Sequence, residues 1–236
     1  MFNKLNSHKT LGDYCYIRQC IKTGNDAEFV KRSDIVLSSP WKSCLRGKSI
    51  DKYCIKDNSL YLKYGNWLAR NWANKSFYER PKIAIREAGK YITACLDTNN
   101  KYLLSSLYSV YPKYDYNEYQ LKCLLGFLNC KLATFYVTKV AFDLTEGAFT
   151  KMRTNQLARL PLIATLLTGR NNTIVKFVDE ILRKKSLSYN EDTSVLEDRL
   201  DILFYRLYGL SYDEVLIVDP DTPITREDYE RYNISE

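Results

Sequence analysis

Apolar and polar residues alternate in short stretches along the first half of the chain. These stretches are rich in Tyr, Ile, Val and Leu, and Gly, Asn, Asp or Pro bounds several of them, which is typical of β-strands. The segments EAGK (87–90) and DTNN (97–100) predict turns, so we expect residues 82–111 to form an antiparallel meander. The predicted strands are 14–17, 28–30, 35–37, 60–62, 82–86, 91–96 and 102–111.

After position 115 the apolar residues recur every three or four positions, which predicts helices. Ser211 followed by Glu214 has the spacing of a capping box at the start of a short final helix. The predicted helices are 118–140, a short one at 153–160 that Pro161 stops, 172–185, and 193–208, which Gly209 ends. This order predicts an α+β fold with a β-rich antiparallel N-terminal half and a helical C-terminal half. We expect two units. The first is residues 1–163, and the second is a helical tail, residues 164–236, that packs on the first.

Positive charge is concentrated in the first two thirds of the chain. Residues 1–159 contain 26 Lys and Arg against 13 Asp and Glu, whereas residues 160–236 contain 9 against 15. The balance is +13 and then −6, within a net charge of +7. A basic body favours a polyanionic partner, because positive potential concentrates phosphate-bearing ligands. The carboxylates of the tail have the spacing of solvated helix faces, at Asp179 and Glu180, Glu197 and Asp198, and Asp213 and Glu214.

The motifs of common enzyme classes are missing from the sequence. It contains no glycine-rich nucleotide-binding loop, no nucleophile elbow and no zinc-protease motif, and His8 is the only histidine. The seven cysteines include no C-x-x-C pair, so we expect reduced, buried thiols and no metal site. The N-terminal segment is polar and no apolar run reaches about 18 residues. We therefore expect a cytoplasmic protein with no membrane contact.

Basic side chains are interleaved with aromatic ones between Pro40 and Tyr64. Cations suit phosphate contacts, and the side chains of Arg and Asn suit base edges. This segment contains Lys42, Arg46, Lys48, Lys52, Lys56 and Lys63 among Trp41, Tyr53, Tyr61 and Tyr64. A second candidate is the loop GAFTKMR (147–153), which either contacts nucleic acid or caps the helix that follows it.

Six spaced segments carry a resemblance to one known family. They are GDYCYIRQCIKTGNDAEF (12–29), LRGKSIDKY (45–53), KIAIREAGKYITACLDTNNKYLLSSLY (82–108), LLGFLNCK (124–131), the loop and QLARLP stop within 147–161, and LEDRLDILFYRLYGLSYDEVLIV (196–218). Together they resemble the TaqI-like C-terminal specificity domains of adenine-N6 DNA methyltransferases, which include fused type IIG restriction-modification enzymes. Cys130 stands where serine is usual in the L-L-x-x-L-N-S-K helix of that family.

The resemblance implies that residues 1–163 are a target-recognition domain for a sequence in double-stranded DNA. The implied partner is a methyltransferase catalytic domain or subunit, in cis or in trans, that uses S-adenosylmethionine. The methyl-donor loop, the N-P-P-Y tetrad and a nuclease centre are missing, so we expect no catalytic residue and no cofactor in this chain. The expected DNA-facing residues are Lys22, Thr23, Asn25, Lys42, Arg46, Lys48, Lys52, Lys151 and Arg153.

Other interpretations of the same residues stay open. The acidic helices would also suit a non-catalytic adaptor that binds only protein, and an enzyme with an unrecognised carboxylate centre is a third alternative. Arg46 and Gly47 would equally form an internal brace, and Asn25 after Gly24 would equally cap its own turn. Binding to duplex DNA that weakens with salt distinguishes recognition from the adaptor.

Overall fold

The computed structural model has its strands in the first half of the chain and its long helices in the second, as predicted. It describes residues 1–72, 74–141, 151–169 and 171–232. The strands are β1 Cys15–Gln19, β2 Val30–Arg32, β3 Trp41–Leu45, β4 Ile50–Asp51, β5 Cys54–Ile55, β6 Leu60–Lys63, β7 Lys82–Arg86, β8 Ala94–Asp97, β9 Tyr102–Leu103 and β10 Leu107–Pro112. The helices are α1 Phe2–Asn6, α2 Leu11–Tyr14, α3 Asp26–Phe29, α4 Glu118–Asn129, α5 Lys131–Tyr136, α6 Thr154–Ala158, α7 Thr165–Thr168, α8 Asn172–Leu187, α9 Ser194–Leu207, α10 Tyr212–Val218 and α11 Arg226–Arg231.

The described strands form two four-stranded sheets and one small hairpin. The first sheet has the order β1-β10-β7-β8, and each of its neighbouring pairs is antiparallel. The second sheet has the order β2-β6-β3-β9, in which β3 and β9 run parallel. The hairpin consists of β4 and β5. The antiparallel β-rich half is therefore confirmed, but it is divided between two sheets.

Two strand predictions fail, the one at 28–30 for all but its last residue and the one at 35–37 for its whole length. The predicted strand at 28–30 is instead the end of α3, and β2 begins only at Val30. The predicted strand at 35–37 is a loop in which Ile35 is 72% exposed and Val36 is 89% exposed. Apolar, β-branched composition favours a strand only when a neighbouring strand can accept its backbone hydrogen bonds.

The meander predicted for 82–111 is confirmed for its first hairpin, in which β7 and β8 are antiparallel, and is wrong for the run that follows. The run 102–111 is interrupted by a turn at 104–106, where the Leu107 N–H donates to the Leu104 carbonyl oxygen. The chain changes sheets at this turn, so β9 pairs with β3 and β10 pairs with β7. The turn brings the residues at 104–106 to the edge where the two sheets meet.

The main hydrophobic core lies between the first sheet and the helices. Burying each large aliphatic side chain contributes about 1.5–3 kcal/mol, and the alternation of β7 and β10 directs one face of the sheet into this core. The core includes Ile83, Ile85 and Val110 from the sheet, Leu124 and Leu128 from α4, and Val178 and Phe204 from the tail. The helices of the tail thus share one core with the sheet, and the boundary at 163 stays a prediction.

A fully buried ion pair joins β7 to β8. The Nζ atom of Lys82 lies 2.6 Å from Oδ2 of Asp97, and neither side chain is exposed. The ammonium also donates to the carbonyl oxygens of Tyr78 and Arg80, and the carboxylate accepts two backbone N–H groups of the following turn. Burial lowers the pKa of the Lys82 ammonium, and the charge of Asp97 opposes this change. Removing either partner leaves the other charge buried and unpaired.

Replacing Lys82 tests how strongly this pair holds the two strands. We expect Lys82→Met to lower the free energy of unfolding by about 3–5 kcal/mol, because Asp97 loses its counter-ion inside the protein. Urea denaturation of the purified chain measures the change. The matched control is Lys75→Met, which removes an exposed cation. A loss no larger than that of the control would contradict the role of the pair.

The helix predicted at 118–140 is broken in two at Cys130. Cys130 has extended backbone dihedrals, and its Sγ atom accepts a hydrogen bond from the Ala133 N–H, so the thiol caps α5. Asn129 exchanges two hydrogen bonds with the backbone of Ala94, at 2.9 and 3.0 Å, and thereby fastens the end of α4 to β8. The break lets one polar side chain reach the sheet while the next residue starts a new helix.

Lys131, directly after the break, connects this region to the tail. Its Nζ atom lies 3.0 Å from Asp198, 2.9 Å from Asp219 and 3.8 Å from Asp201. Its backbone N–H also donates to Asp201 at 2.7 Å. The L-N-C-K segment therefore connects three parts of the fold: Asn129 binds the sheet, Cys130 caps α5 and Lys131 binds the tail.

The prediction that the tail carboxylates are solvated is wrong for several of them. Glu197 pairs with Lys52, Asp198 with Lys131, and Glu214 with Lys4 and the N-terminal amine. Burial alone would raise the pKa of Glu214, but the hydrogen bonds from Lys4 and the N-terminus lower it to about 2. Sequence spacing along one helix cannot reveal these partners, because the cations lie far away in the chain.

The end of α9 and the start of α10 lie where the sequence predicts them. Gly209 adopts φ +63 after α9, which is a left-handed conformation that favours glycine at the end of a helix. Ser211 accepts from the Glu214 N–H, and the Glu214 carboxylate accepts from the Ser211 N–H, so the predicted capping box is confirmed. In the described part of the chain, none of the helices has the length and apolarity that a membrane crossing requires.

Stability should depend on pH through Asp201. Burial raises the pKa of this carboxyl to about 7 from an ordinary value of 3.8, although Lys131 opposes the change. A raised pKa means that the folded state holds the proton more tightly, so this contribution is present below about pH 4 and is lost as the pH rises through 7. Relative to Asp201→Asn, the wild type should lose about 2–3 kcal/mol of unfolding free energy between pH 5 and 8.

Urea denaturation across this pH range measures the difference. The control is Asp221→Asn, which changes an exposed carboxylate two residues from Asp219. A pH-independent difference between wild type and Asp201→Asn would contradict the assignment.

Candidate nucleic-acid interface

Five loop segments meet at the edge between the two sheets, and we call this region the loop arc. Each follows or precedes a strand or helix whose packing fixes its position. The loop arc consists of residues 22–26, 46–49, 86–90, 104–106 and 151–153. Four of these segments carry residues that the sequence predicts to face DNA or belong to the predicted turns.

A hydrogen bond and an ion pair connect the segments 22–26, 46–49 and 104–106. Arg46 Nη2 lies 3.3 Å from Asp26 Oδ2, which joins the segment 46–49 to the segment 22–26. The backbone N–H of Gly47 donates to Ser106 Oγ at 2.8 Å. These contacts bring together parts of the chain that are up to about 80 residues apart in sequence.

The remaining segments continue the loop arc on the side of the first sheet. The Glu87 N–H donates to the Ser106 carbonyl oxygen at 3.0 Å, and the Met152 N–H donates to the Glu87 carbonyl oxygen at 2.9 Å. Ala88 and Lys151 form an isolated antiparallel bridge. The segment 151–153 is therefore held against the turn at 87–90 by its backbone. The earlier part of the predicted loop, 147–150, lies outside the described residues.

Arg86 holds the turn that presents Arg46 and Lys48. Its Nε atom donates to the Gly47 carbonyl oxygen at 2.9 Å, and its Nη2 atom donates to the Ile50 carbonyl oxygen. A Cβ atom at Gly47 would lie 3.3 Å from the Ser106 carbonyl oxygen, so a larger residue would press against the neighbouring segment. The brace at this turn is thus Arg86 at the end of β7, and Lys48 is left exposed.

Cations outnumber carboxylates on the loop arc. Within the described ranges no carboxylate pairs with Lys22, Lys48 or Arg153, and all three residues are exposed. Lys151 lies 3.7 Å from Glu87, yet its side chain is 72% exposed. An exposed pair of this kind is worth little, so Lys151 can exchange its partner for a phosphate at low cost.

Thr23 and Asn25 have different surroundings within the first segment. Thr23 is only 6% exposed, and its hydroxyl donates to Asp26, so it organises the turn. Asn25 precedes α3 and is exposed, and its Nδ2 atom lies 3.3 Å from Glu28 Oε2. The amide of Asn25 therefore remains accessible, whereas Thr23 offers little surface.

The structure does not bring Lys42 and Lys52 to the loop arc. Lys42 Nζ lies 3.4 Å from Glu79 and 5.6 Å from the ring centroid of Tyr102. Lys52 Nζ lies 3.4 Å from Glu197 of the tail. Both ammonium groups have a carboxylate partner, and their DNA-facing role stays a prediction.

Sequence reasoning missed the residues that shape the loop arc. Arg86 and Ser106 hold its turns, and Arg70 donates to the Cys20 carbonyl oxygen while its backbone pairs with that of Lys22. The signal for Arg86 was its position at the end of the KIAIR strand, directly before a turn. The roles of Ser106 and Arg70 cannot be predicted from the sequence, because their side chains contact segments that are distant in the chain.

The loop arc offers hydrogen-bond donors and positive charge, and the thiols of the chain lie elsewhere. All seven cysteines are buried, as predicted. Burial raises the pKa of Cys20, Cys44 and Cys123 to about 12, which keeps these thiols protonated and poorly nucleophilic. Among the described residues, no group of three His, Cys, Asp or Glu has the arrangement of a metal site.

Comparison with known proteins gives structural neighbours of low sequence identity. The type IIL restriction-modification enzyme MmeI, solved in complex with DNA, has a TM-score of 0.55 and 10% identity over 95% of this chain. This chain spans 37% of that protein, and at this identity the likeness concerns the fold alone. A protein of the type I restriction-modification system has a TM-score of 0.43 and 13% identity, covering 85% of this chain and 44% of that one.

Sequence comparison gives one family. A search of curated proteins finds no match. The family model described as the TaqI-like C-terminal specificity domain matches residues 42–162. This range contains four of the five segments of the loop arc completely, and only the segment 22–26 lies outside it. Since the match covers more than half of the chain, the protein belongs to the TaqI-like C-terminal specificity domain family.

Proposed function

We propose that this chain recognises a specific sequence in double-stranded DNA for a restriction-modification system. In the finer form of the proposal, it is the target-recognition part of an adenine-N6 DNA methyltransferase or type IIG restriction enzyme. Membership of a specificity-domain family carries the proposal. The loop arc supports it, because exposed cations and an accessible amide lie together on a braced surface.

The loop arc would divide the work between phosphates and bases. Lys22, Lys48 and Lys151 are point charges on flexible stems, which suits contact with phosphates and fixes the register of the protein on the duplex. Arg153 and Asn25 have planar groups with paired donors or acceptors, which suits the edges of guanine and adenine in the major groove. Arg153 directly precedes α6, and its backbone N–H is held by Gln156 at 2.7 Å, so the start of its side chain is fixed.

In this proposal the chain has no catalytic centre of its own. Methyl transfer from S-adenosylmethionine would belong to a catalytic domain or subunit, in cis or in trans. The adaptor alternative has less support, because Glu197, Asp198 and Glu214 pair with cations of the same chain and offer less acidic surface to a protein partner.

Alanine variants at Lys48 and Arg153 should affect binding differently. Lys48→Ala should weaken binding to all sequences alike and reduce the magnitude of the salt slope by about one unit. Arg153→Ala should cost about 1–3 kcal/mol at the preferred sequence and relax the choice at one base pair. Fluorescence anisotropy across a salt series measures the slope, and binding selection from randomised duplexes gives the preference.

The matched control for Lys48→Ala is Lys42→Ala, which removes a lysine that pairs with Glu79 away from the loop arc. It should change the salt slope less than Lys48→Ala does. The proposal fails if the wild-type chain binds duplex DNA with no sequence preference and no dependence on salt. An unchanged preference for Arg153→Ala would remove Arg153 from the base-reading residues.

A further inference from the structure

The outward face of the second sheet carries a row of side chains in register across its strands. Lys31 of β2 is paired with Tyr61 of β6, and Tyr61 is paired with Ser43 of β3. Beyond Ser43, the Nζ atom of Lys101 donates to the Ser43 hydroxyl at 2.8 Å. Strands are about 4.8 Å apart, so the row from Lys31 to Lys101 spans about 14 Å of the sheet.

A second pair extends the same face along the strands. Trp41 of β3 is in register with Lys63 of β6, two residues from Ser43 and Tyr61 respectively. Side chains two residues apart on a strand lie on the same face. We call the surface formed by Lys31, Trp41, Ser43, Tyr61, Lys63 and Lys101 the outer face.

The alternate residues of these strands form the other face and are buried. Leu60, Leu62, Cys44 and Tyr102 pack together in the core of the second sheet. This alternation puts the outer face on the side of the sheet opposite that core. On it Lys31 is exposed, Tyr61 is buried and the other four residues are half-buried. The alternation also separates Lys42, which lies over Tyr102 on the core side, from the three lysines of the outer face.

The outer face is positive and none of its six residues is acidic. In the described part of the chain, no carboxylate pairs with Lys31, Lys63 or Lys101. Lys31 Nζ lies 4.1 Å from the ring centroid of Trp41, and Lys63 Nζ lies 5.6 Å from that of Trp67. Contact with an aromatic ring orients an ammonium group without neutralising it.

The outer face is close enough to the loop arc to share one ligand. Ser43 of β3 lies three residues before Arg46, which directly follows this strand, and this corresponds to about 10 Å. One helical turn of duplex DNA is about 34 Å long, so a duplex on the loop arc can also pass the outer face.

We propose that Lys31, Lys63 and Lys101 on the outer face bind phosphates of the same duplex, beside the bases that the loop arc reads. This inference rests on the proposed function. Lysines with no planar donor group give affinity that does not depend on sequence, and Lys31 occupies one face of the Trp41 ring. The outer face therefore contributes affinity and register, and the loop arc contributes selectivity.

The test is the variant Lys31→Gln/Lys63→Gln/Lys101→Gln in the full chain, binding a 40-base-pair duplex of mixed sequence. Each phosphate contact contributes about 0.9 to the salt slope, so the slope should fall by about two to three units. The sequence preference from randomised duplexes should stay unchanged. The charge-preserving variant Lys31→Arg/Lys63→Arg/Lys101→Arg should keep the wild-type slope.

The matched control is Lys9→Gln/Lys176→Gln/Arg199→Gln, which removes the same charge from exposed positions elsewhere. It should change the slope by less than one unit. The inference is overturned if the outer-face variant keeps the wild-type slope, if it loses no more than the control, or if the Arg variant fails to restore binding while folded by circular dichroism. In these outcomes Lys48→Ala still changes the slope. If the wild-type chain binds no duplex at all, the proposed function fails as well.

Discussion

The buried contact between Lys82 and Asp97 is the constraint on which the arrangement of the two sheets depends. Lys82 begins β7 and Asp97 ends β8, both in the first sheet. The same carboxylate accepts the backbone N–H of Lys101, directly before β9 of the second sheet, and the same ammonium holds the carbonyl oxygen of Tyr78, which packs in the second core. A buried charge tolerates few geometries, so this pair fixes one sheet against the other and with them the loop arc.

The distribution of charge over the surface follows from ion pairs between the tail and the basic body. The acidic tail does not stand apart as an acidic surface, because its carboxylates neutralise selected cations of the basic body, including Lys52, Lys131 and Lys4. The cations without such partners in the described ranges include Lys22, Lys48 and Arg153 on the loop arc and the three lysines of the outer face. Internal pairing thus leaves positive potential on the surfaces that we assign to DNA, where it can attract a duplex.

Local signals in the sequence were sufficient for features that short segments determine by themselves. The periodicity of α8 and α9, the end at Gly209 and the capping box of Ser211 and Glu214 depend on neighbours within a few residues. The break at Cys130 was missed, because the apolar spacing continues through it and its cause is the hydrogen bonding of Asn129 to Ala94 in another element.

The candidate site was predicted only in part, because local composition identifies its segments but does not reveal the distant partners of its side chains. Segments 22–26, 46–49 and 151–153 were identified by composition and by resemblance, and the structure brings them together. Lys52 was indistinguishable from Lys48 in the sequence, since its partner Glu197 lies 145 residues later in the chain. Lys31 and Lys101 lie outside the basic segment at 40–64, and only the register of four strands places them in one row with Tyr61 and Ser43.

The central claim is that duplex DNA lies on the loop arc. Hydrogen–deuterium exchange of the chain with and without saturating duplex tests it most directly. The account predicts slower exchange of the backbone amides at 22–26, 46–49, 104–106 and 151–153, with unchanged exchange in α8 and α9. Protection confined to the helices of the tail, with no change at these four segments, would contradict it.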